Sequence, residues 1–326
     1  MNDIAKKVCV SRATVSYVLS GKENIAISDA TKQIVLAAAE DLGYRPNRMA
    51  RALIKGHTHL IALLVHGFHP AYYSYMVQTV RERVEATEYR LNVAQVLPDA
   101  VPKEATYWPV DGVLAFDCRS FVDSLPDEVL AETPIVSFGG SYSTKVDHIG
   151  VDLYAGTTSA IRHLIDIGRN RIAYILPTTD CRPGDARYDA FHASMIAANR
   201  KPLLLPFDQA PIVRRAACEA VIEAVRDGFS FDALFCFSDE IAIGAHLALR
   251  KLGLSIPRDV ALIGCDGIAD IEYVDPAITA IAQPYEILSD TAWGFLKRRL
   301  EDRTAPRQSR VLIPDLIVRG STVAVS

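Results

Sequence analysis

The 326-residue sequence contains no run of 18 or more apolar residues, and its start, MNDIAKKVCV, lacks the charged, apolar and small-residue regions of a secretory leader. Neither membrane spanning nor export is expected, and the cytoplasm is the default compartment. The six cysteines (Cys9, Cys118, Cys181, Cys218, Cys236, Cys265) form no CxxC pair and have no nearby histidine set. That spacing argues against a disulfide framework and a zinc site, and for reduced thiols that pack in the interior. No GxGxxG follows a strand pattern, and GxxxxGK[ST] and GxSxG are both missing. No catalytic constellation, metal ligand set or cofactor motif is read, so an enzyme is not expected.

Half of the residues are hydrophobic and 23% are charged, a globular composition sufficient for two or three structural units. Charge is unevenly spread. Residues 1–58 hold nine Lys or Arg against five Asp or Glu, whereas the remainder holds 26 against 34. A basic segment on an acidic protein is suited to neutralising phosphates, although charge alone also describes any solvated face.

That basic segment has helical punctuation. Asn2 can cap a short helix with Ile4, Ala5 and Val8 inward, and Ser11 can cap a second with Val15, Val18 and Leu19 inward, ending at Gly21. Only Cys9 and Val10 separate them. A third helix starts at Ser28, turns Ile34, Val35, Ala38 and Leu42 inward and stops at Gly43. This is the pattern of a helix-turn-helix unit whose second helix enters the DNA major groove. On that helix Arg12, Ala13 and Tyr17 point outward to read bases, Arg12 through guanine and Ala13 through a thymine methyl. The hydroxyls of Ser11, Thr14, Ser16 and Ser20 suit phosphates, which set position rather than sequence.

The string DIAKKVCVSRATVSYVLSG, followed by SDATKQIVLAAAEDLGYRPNRMARAL, closely resembles the headpiece and hinge of the lactose/galactose repressor (LacI) family over residues 2–56. Two positions depart from that pattern: Cys9 stands where a Gly or other small residue is usual, and Tyr17 where Arg or His is frequent. After Pro46, residues 47–55 can form only a short helix, unstable alone in water and ordered by a partner. The resemblance implies a hinge helix paired with its twin in the minor groove. Leu53 would be wedged between base pairs, Ala50 would lie one turn earlier, and Asn47 and Arg48 would sit near phosphates.

Beyond His59, apolar runs at 60–65, 91–96, 112–116, 134–138, 171–176, 232–237 and 259–266 alternate with helical stretches, among them Tyr75–Glu88 and Glu240–Leu252. The rhythm predicts two doubly wound parallel sheets covered on both faces. A ligand crevice is expected at the carboxyl ends of their strands. Ser238 and Asp239 follow one strand and Asp266 another; carboxylates there suit vicinal hydroxyls, and Asp239 equally suits a helix cap.

Segments VDGVLAF, HLIDIGRNRIAYIL, SDEIAIGAHLALRKLGLSIPRDVALIGCDGI and PAITAIAQP extend the same family resemblance to a core similar to periplasmic sugar-binding proteins. The resemblance implies that Tyr72 and Tyr73 lie in a ligand loop after the first strand and that Arg187 holds polar groups of the ligand. Gly139 replaces the family's usual Asp, which removes one hydroxyl acceptor, and the stretch between Val96 and Val110 is shorter than usual. His66 and His69 beside the first loop read more simply as exposed histidines.

The expected organisation is an all-α headpiece (1–45), a hinge helix and linker (46–58) and an α/β effector-binding and dimerisation core (59–326). Chain crossovers between its two subdomains are expected near 156–160 and 283–286, with a return near 315. The expected function is a dimeric, nucleoid-associated transcriptional regulator, a repressor of carbohydrate-utilisation genes. It would bind a pseudo-palindromic operator and a sugar or sugar derivative, with a nucleobase or nucleoside as the second choice of effector. The alternative is a solute-binding sensor module without operator-specific DNA binding.

Overall fold

The computed structural model describes residues 1–20, 26–44, 57–66, 71–96, 109–208 and 210–323. The expected hinge positions Asn47, Arg48, Ala50 and Leu53, the stop at Gly21, His69 and the side chain of Ser20 lie outside the described residues. The chain forms two compact units, Met1–His59 and Leu60–Ser326.

The first unit holds α1 (Asn2–Lys7), α2 (Arg12–Ser20) and α3 (Asp29–Asp41). Its core is small: Ile4, Val15 and Val35 are fully enclosed, with Ala38 and Ala39 beside them. The α1–α2 turn is made by Cys9 at φ +49°, a left-handed backbone that favours glycine and that this side chain nevertheless adopts. Two expectations are corrected here. Met1, rather than Asn2, precedes the first turn, so Asn2 is already helical. Ile34 and Leu42 are exposed, and the inward stripe of α3 is Val35, Ala38 and Ala39, a narrow i, i+3, i+4 set.

In the second unit, one sheet has the strand order β11–β5–β4–β3–β1–β2 and the other β12–β10–β9–β8–β6–β7. The first comprises β1 (Leu60–Val65), β2 (Arg90–Gln95), β3 (Gly112–Phe116), β4 (Ile135–Gly139), β5 (Asp147–Val151) and β11 (Ser309–Leu312). The second comprises β6 (Ile172–Pro177), β7 (Leu203–Phe207), β8 (Ala233–Cys236), β9 (Ala261–Asp266), β10 (Thr279–Ala282) and β12 (Asp315–Ile317). Every pairing is parallel except that of the edge strand β12 with β10. Inner strands β3, β4, β6, β8 and β9 are buried along their whole length, as both-faced coverage by helices requires.

Helix α4 (Ala71–Glu85) packs on the first sheet through Tyr72, Met76, Thr79, Val80 and Val84. It begins earlier than expected, so Tyr72 and Tyr73 belong to a first helical turn instead of a loop; their i, i+4 continuation to Met76 and Val80 accounts for this. Short helices α5 (Arg119–Ser124) and α6 (Asp127–Glu132) follow β3. Asp152 then caps α7 (Leu153–Asp166) by accepting from the Ala155 N–H at 2.9 Å. This helix already packs on β10 and β12 of the second sheet, so the chain crosses just before the expected 156–160. Helices α8 (Ala186–Ala197), α9 (Val213–Arg226) and α10 (Asp239–Lys251) flank the second sheet. Helix α11 (Tyr285–Glu301) returns to pack on β3, β4 and β5, and the chain passes back between β11 and β12. Among the described residues, no helix is long and apolar enough to cross a membrane.

Candidate functional site

On α2 the Ser11 hydroxyl accepts from the Thr14 N–H at 3.0 Å and meets the Thr14 hydroxyl at 2.8 Å, so Ser11 caps the helix as its spacing predicts. Val15 is completely buried, while Arg12 and Ala13 on the opposite side are exposed and available to a groove. Thr14, Ser16 and Tyr17 are half-buried, so Tyr17 lies at the margin of the outward face. Ser28 caps α3 by accepting from the Thr31 N–H at 3.2 Å, and Gly43 at φ +59° ends it, with the Tyr44 N–H returning to the Ala39 carbonyl at 2.8 Å.

At the carboxyl ends of the strands in the second unit, charged and aromatic side chains converge from both sheets. Asp266 ends β9 at φ +150°, a backbone region rarely held by a side-chain-bearing residue. Such strain persists only where surroundings enforce it. The enforcing residue is Asp239, whose Oδ2 accepts from the N–H groups of Gly267 at 2.6 Å and Ile268 at 2.8 Å. Asp239 is wholly buried, and burial pushes its carboxyl up to about 7 despite those two donors. It therefore sits behind the crevice wall and holds the turn that presents Asp266. Ser238, not Asp239, is the cap of α10, accepting from the Ile241 N–H at 3.4 Å.

Asp266 itself receives the Asp239 N–H at 3.3 Å and the Gln283 side-chain amide at 3.1 Å. Burial, then the neighbouring Asp239, raises its pKa well above the carboxylate range, with Arg187 opposing. Arg187 is positioned by Asp185, which caps α8 by accepting from the Arg187 and Tyr188 N–H groups. Its guanidinium lies 3.5 Å from the centre of the Phe237 ring, donates to the Phe237 carbonyl at 3.2 Å and approaches Asp185 at 3.5 Å. Burial opposes its charge, but Asp185 and Asp266 among its neighbours keep the pKa above the usual arginine value. Its Nε is buried with no hydrogen-bond partner among the described residues. A buried donor left unpaired costs free energy that a ligand acceptor recovers.

The facing wall contains a residue that was not read from the sequence. Asp117, directly after β3 and at φ +55°, accepts from the Tyr72 hydroxyl at 2.8 Å and from the Ser141 N–H at 2.9 Å. A side chain at Gly139 would collide with the Asp117 carboxylate and the Phe116 ring. The carboxylate lost at the end of β4 is thus matched by one at the end of the adjacent strand β3, and Gly139 makes room for it. The signal was the one used for Asp239 and Asp266: an aspartate immediately following an apolar run. Tyr72 is packed against Phe116, Tyr73 and Tyr285, with ring centres 5.1, 5.0 and 5.7 Å away, and its hydroxyl also lies 3.3 Å from Gln283 Oε1. Tyr73 is half-buried, and its hydroxyl feels the charges of Asp117, Asp266 and Arg187.

The structure thus brings Tyr72, Tyr73, Arg187 and Asp266 together, adds Asp117 and Gln283, and puts Ser238 and Asp239 into supporting positions. Two acceptors and a cation framed by rings can hold a polyhydroxylated ring by bidentate hydrogen bonds and stacking.

Comparison with known proteins gives a consistent assignment. Residues 1–47 match the model of bacterial regulatory proteins of the lacI family, and residues 161–322 match a periplasmic binding protein-like domain. The chain is 28% identical to the HTH-type transcriptional repressor PurR of Erwinia tasmaniensis, over 98% of its own length and 96% of that protein. The PurR of Escherichia coli O1:K1 is 29% identical with the same coverage. A solved complex of the transcriptional regulator CelR with cellobiose is 26% identical and superposes with a TM-score of 0.67, covering 98% of both chains. The lac repressor dimer bound to operator and the anti-inducer ONPF shares 21% identity and the fold, with a TM-score of 0.77 over 99% of this chain and 98% of that one.

Proposed function

The chain belongs to the lacI family of bacterial regulatory proteins, and from that premise we propose that it represses transcription by binding a pseudo-palindromic operator as a homodimer, under control of an effector held in the core crevice. The observation that carries the effector half is the convergence of Asp117, Asp266 and Arg187 among Tyr72, Tyr73 and Phe237 at the strand carboxyl ends. This donor and acceptor set suits a sugar or sugar derivative, and the solved relative described as a complex with cellobiose supports that class. The regulated genes would then serve carbohydrate use, in the cytoplasm at the nucleoid, and the effector would leave chemically unchanged.

Two headpieces related by a dyad set recognition helices into successive major grooves about 34 Å apart. Effector binding shifts operator affinity only by its differential affinity for the DNA-competent and DNA-incompetent states. Residues 46–58 are the expected coupling element. The test is to mix the protein with fragmented genomic DNA and sequence what is retained. One enriched pseudo-palindrome is expected, and Arg12→Ala should weaken that site over random DNA by about 1–3 kcal/mol. Retention of unrelated fragments in proportion to their length would refute operator-specific binding.

A further inference from the structure

Away from the crevice, at the amino ends of β4 and β5, a cleft of about 280 Å³ opens between the end of α6 and the segment following α11. Its exposed surface is mostly polar, with a small apolar part beside half-buried Leu130, and its lining carries four cations against one acid. Arg299 is consumed internally, gripping Asp147 through two bonds of 2.9 Å and the carbonyls of residues 303, 305 and 306. The other three cations are exposed but anchored by main-chain carbonyls: Lys145 to Asp123 at 2.8 Å, Arg303 to Glu132, and Arg307 to Thr144 at 3.0 Å.

Capping of helix ends explains part of this arrangement and not all of it. Helices α5, α6 and α11 terminate nearby, and each end carries only about half a negative charge. Three such ends fall short of three full positive charges, and among the described residues none of the three cations has a carboxylate within ion-pair distance. Each anchored guanidinium retains N–H donors beyond the one it has spent. We infer that this cleft is a second ligand site, for a small phosphate monoester whose dianion is gripped by Lys145, Arg303 and Arg307 while its organic body lies against the small apolar part beside Leu130. The cations converge on one concavity, which fits a compact anion better than the linear track a DNA backbone requires.

The experiment is a calorimetric titration of the full chain, at constant ionic strength, with glucose 6-phosphate, inorganic phosphate and glucose. Saturable binding of glucose 6-phosphate is expected. It should weaken at least tenfold in Arg303→Ala/Arg307→Ala and several-fold in Lys145→Gln, and inorganic phosphate should bind the same cleft more weakly for want of the apolar contact. A melting scan of each variant without ligand establishes that it folds. Absence of saturable binding of either phosphate overturns the inference, as does binding that survives the double substitution, which would put the ester in the crevice. Phosphates that fail to bind, together with a flatter salt dependence of random-duplex binding in the double variant, would make the cleft a DNA-backbone contact, again overturning it. None of these readouts depends on an operator, so operator recognition stands or falls separately.

Discussion

The two walls of the crevice solve the same problem differently. On the first-sheet side, Asp117 has both oxygens occupied, one by the Tyr72 hydroxyl and one by the Ser141 N–H, and Tyr72 is locked among aromatic rings. On the second-sheet side, Arg187 Nε is buried with no hydrogen-bond partner among the described residues, and Asp266 sits on strained backbone. The first wall is satisfied without a ligand and the second is not. Unpaired buried groups lose the most when left empty, so the second wall should supply most of the affinity and the first mainly shape and discrimination. A direct connection exists between them: Gln283 turns its Oε1 toward Tyr72 and donates its amide to Asp266.

The largest test of this asymmetry is Arg187→Ala. Truncating one member of a buried, hydrogen-bonded charged set costs about 2–5 kcal/mol in binding, so effector affinity should fall by about 30-fold to several thousand-fold. Operator affinity without effector should persist. An effector isotherm matching the parent would show that the unpaired Nε is not a ligand contact. Asp266→Asn is the milder probe of the same wall. It keeps the shape and exchanges one carboxyl oxygen for an amide, with an expected loss of about 1–3 kcal/mol by calorimetry. Equal affinity would remove Asp266 from the site.

The opposite wall should respond less. Tyr72→Phe deletes one hydroxyl and leaves the ring packing, so an effector penalty of about 0.5–1.5 kcal/mol is expected, arising from a freed Asp117. A loss as large as that of Arg187→Ala would reverse the comparison and make the first wall dominant. Competition between sugar epimers sharpens it further: if the first wall discriminates, Tyr72→Phe narrows the affinity gap between epimers even where the mean affinity barely moves.

Much of this was legible in the sequence because inner parallel strands are written as uninterrupted apolar runs. The runs at 60–65, 112–116 and 171–176 lie on β1, β3 and β6 to within a residue. The far side of the first sheet carries little such signal. The edge strand β11 is largely exposed, and its neighbour β5 mixes Asp, His and Gly with its apolar residues. In α3 the apolar period was right but its phase was not, since Ala38 and Ala39 are enclosed beside Val35 while the bulkier Ile34 and Leu42 face out. Asp117 escaped notice because Gly139 drew attention to a missing carboxylate at its own strand end. The replacement lies one strand across in the sheet and 22 residues back in the sequence, and only tertiary structure brings the two positions together.

The smallest predicted effect separates the support of the second wall from its contacts. Asp239 holds its proton up to about 7 in the folded chain, whereas an unfolded aspartate loses it near the ordinary value of about 3.9. Between those limits the folded state binds more protons than the unfolded one, so this group's contribution to stability declines as pH rises and levels off above 7. Half-buried His163 and buried His246, whose pKa values burial lowers, act in the opposite sense and cancel between parent and variant, while Asp266, raised in part by the Asp239 charge, shifts with it in the same sense. Asp239→Asn cannot ionise, and its side-chain oxygen can still accept from Gly267 and Ile268. Relative to the parent, the melting temperature of the variant should therefore rise between pH 5 and 8, by roughly 2–4 °C per kcal/mol of relieved charge burial. Parallel melting curves across that range would mean that the Asp239 charge is compensated in the fold, and that its support of the Asp266 turn does not depend on its protonation.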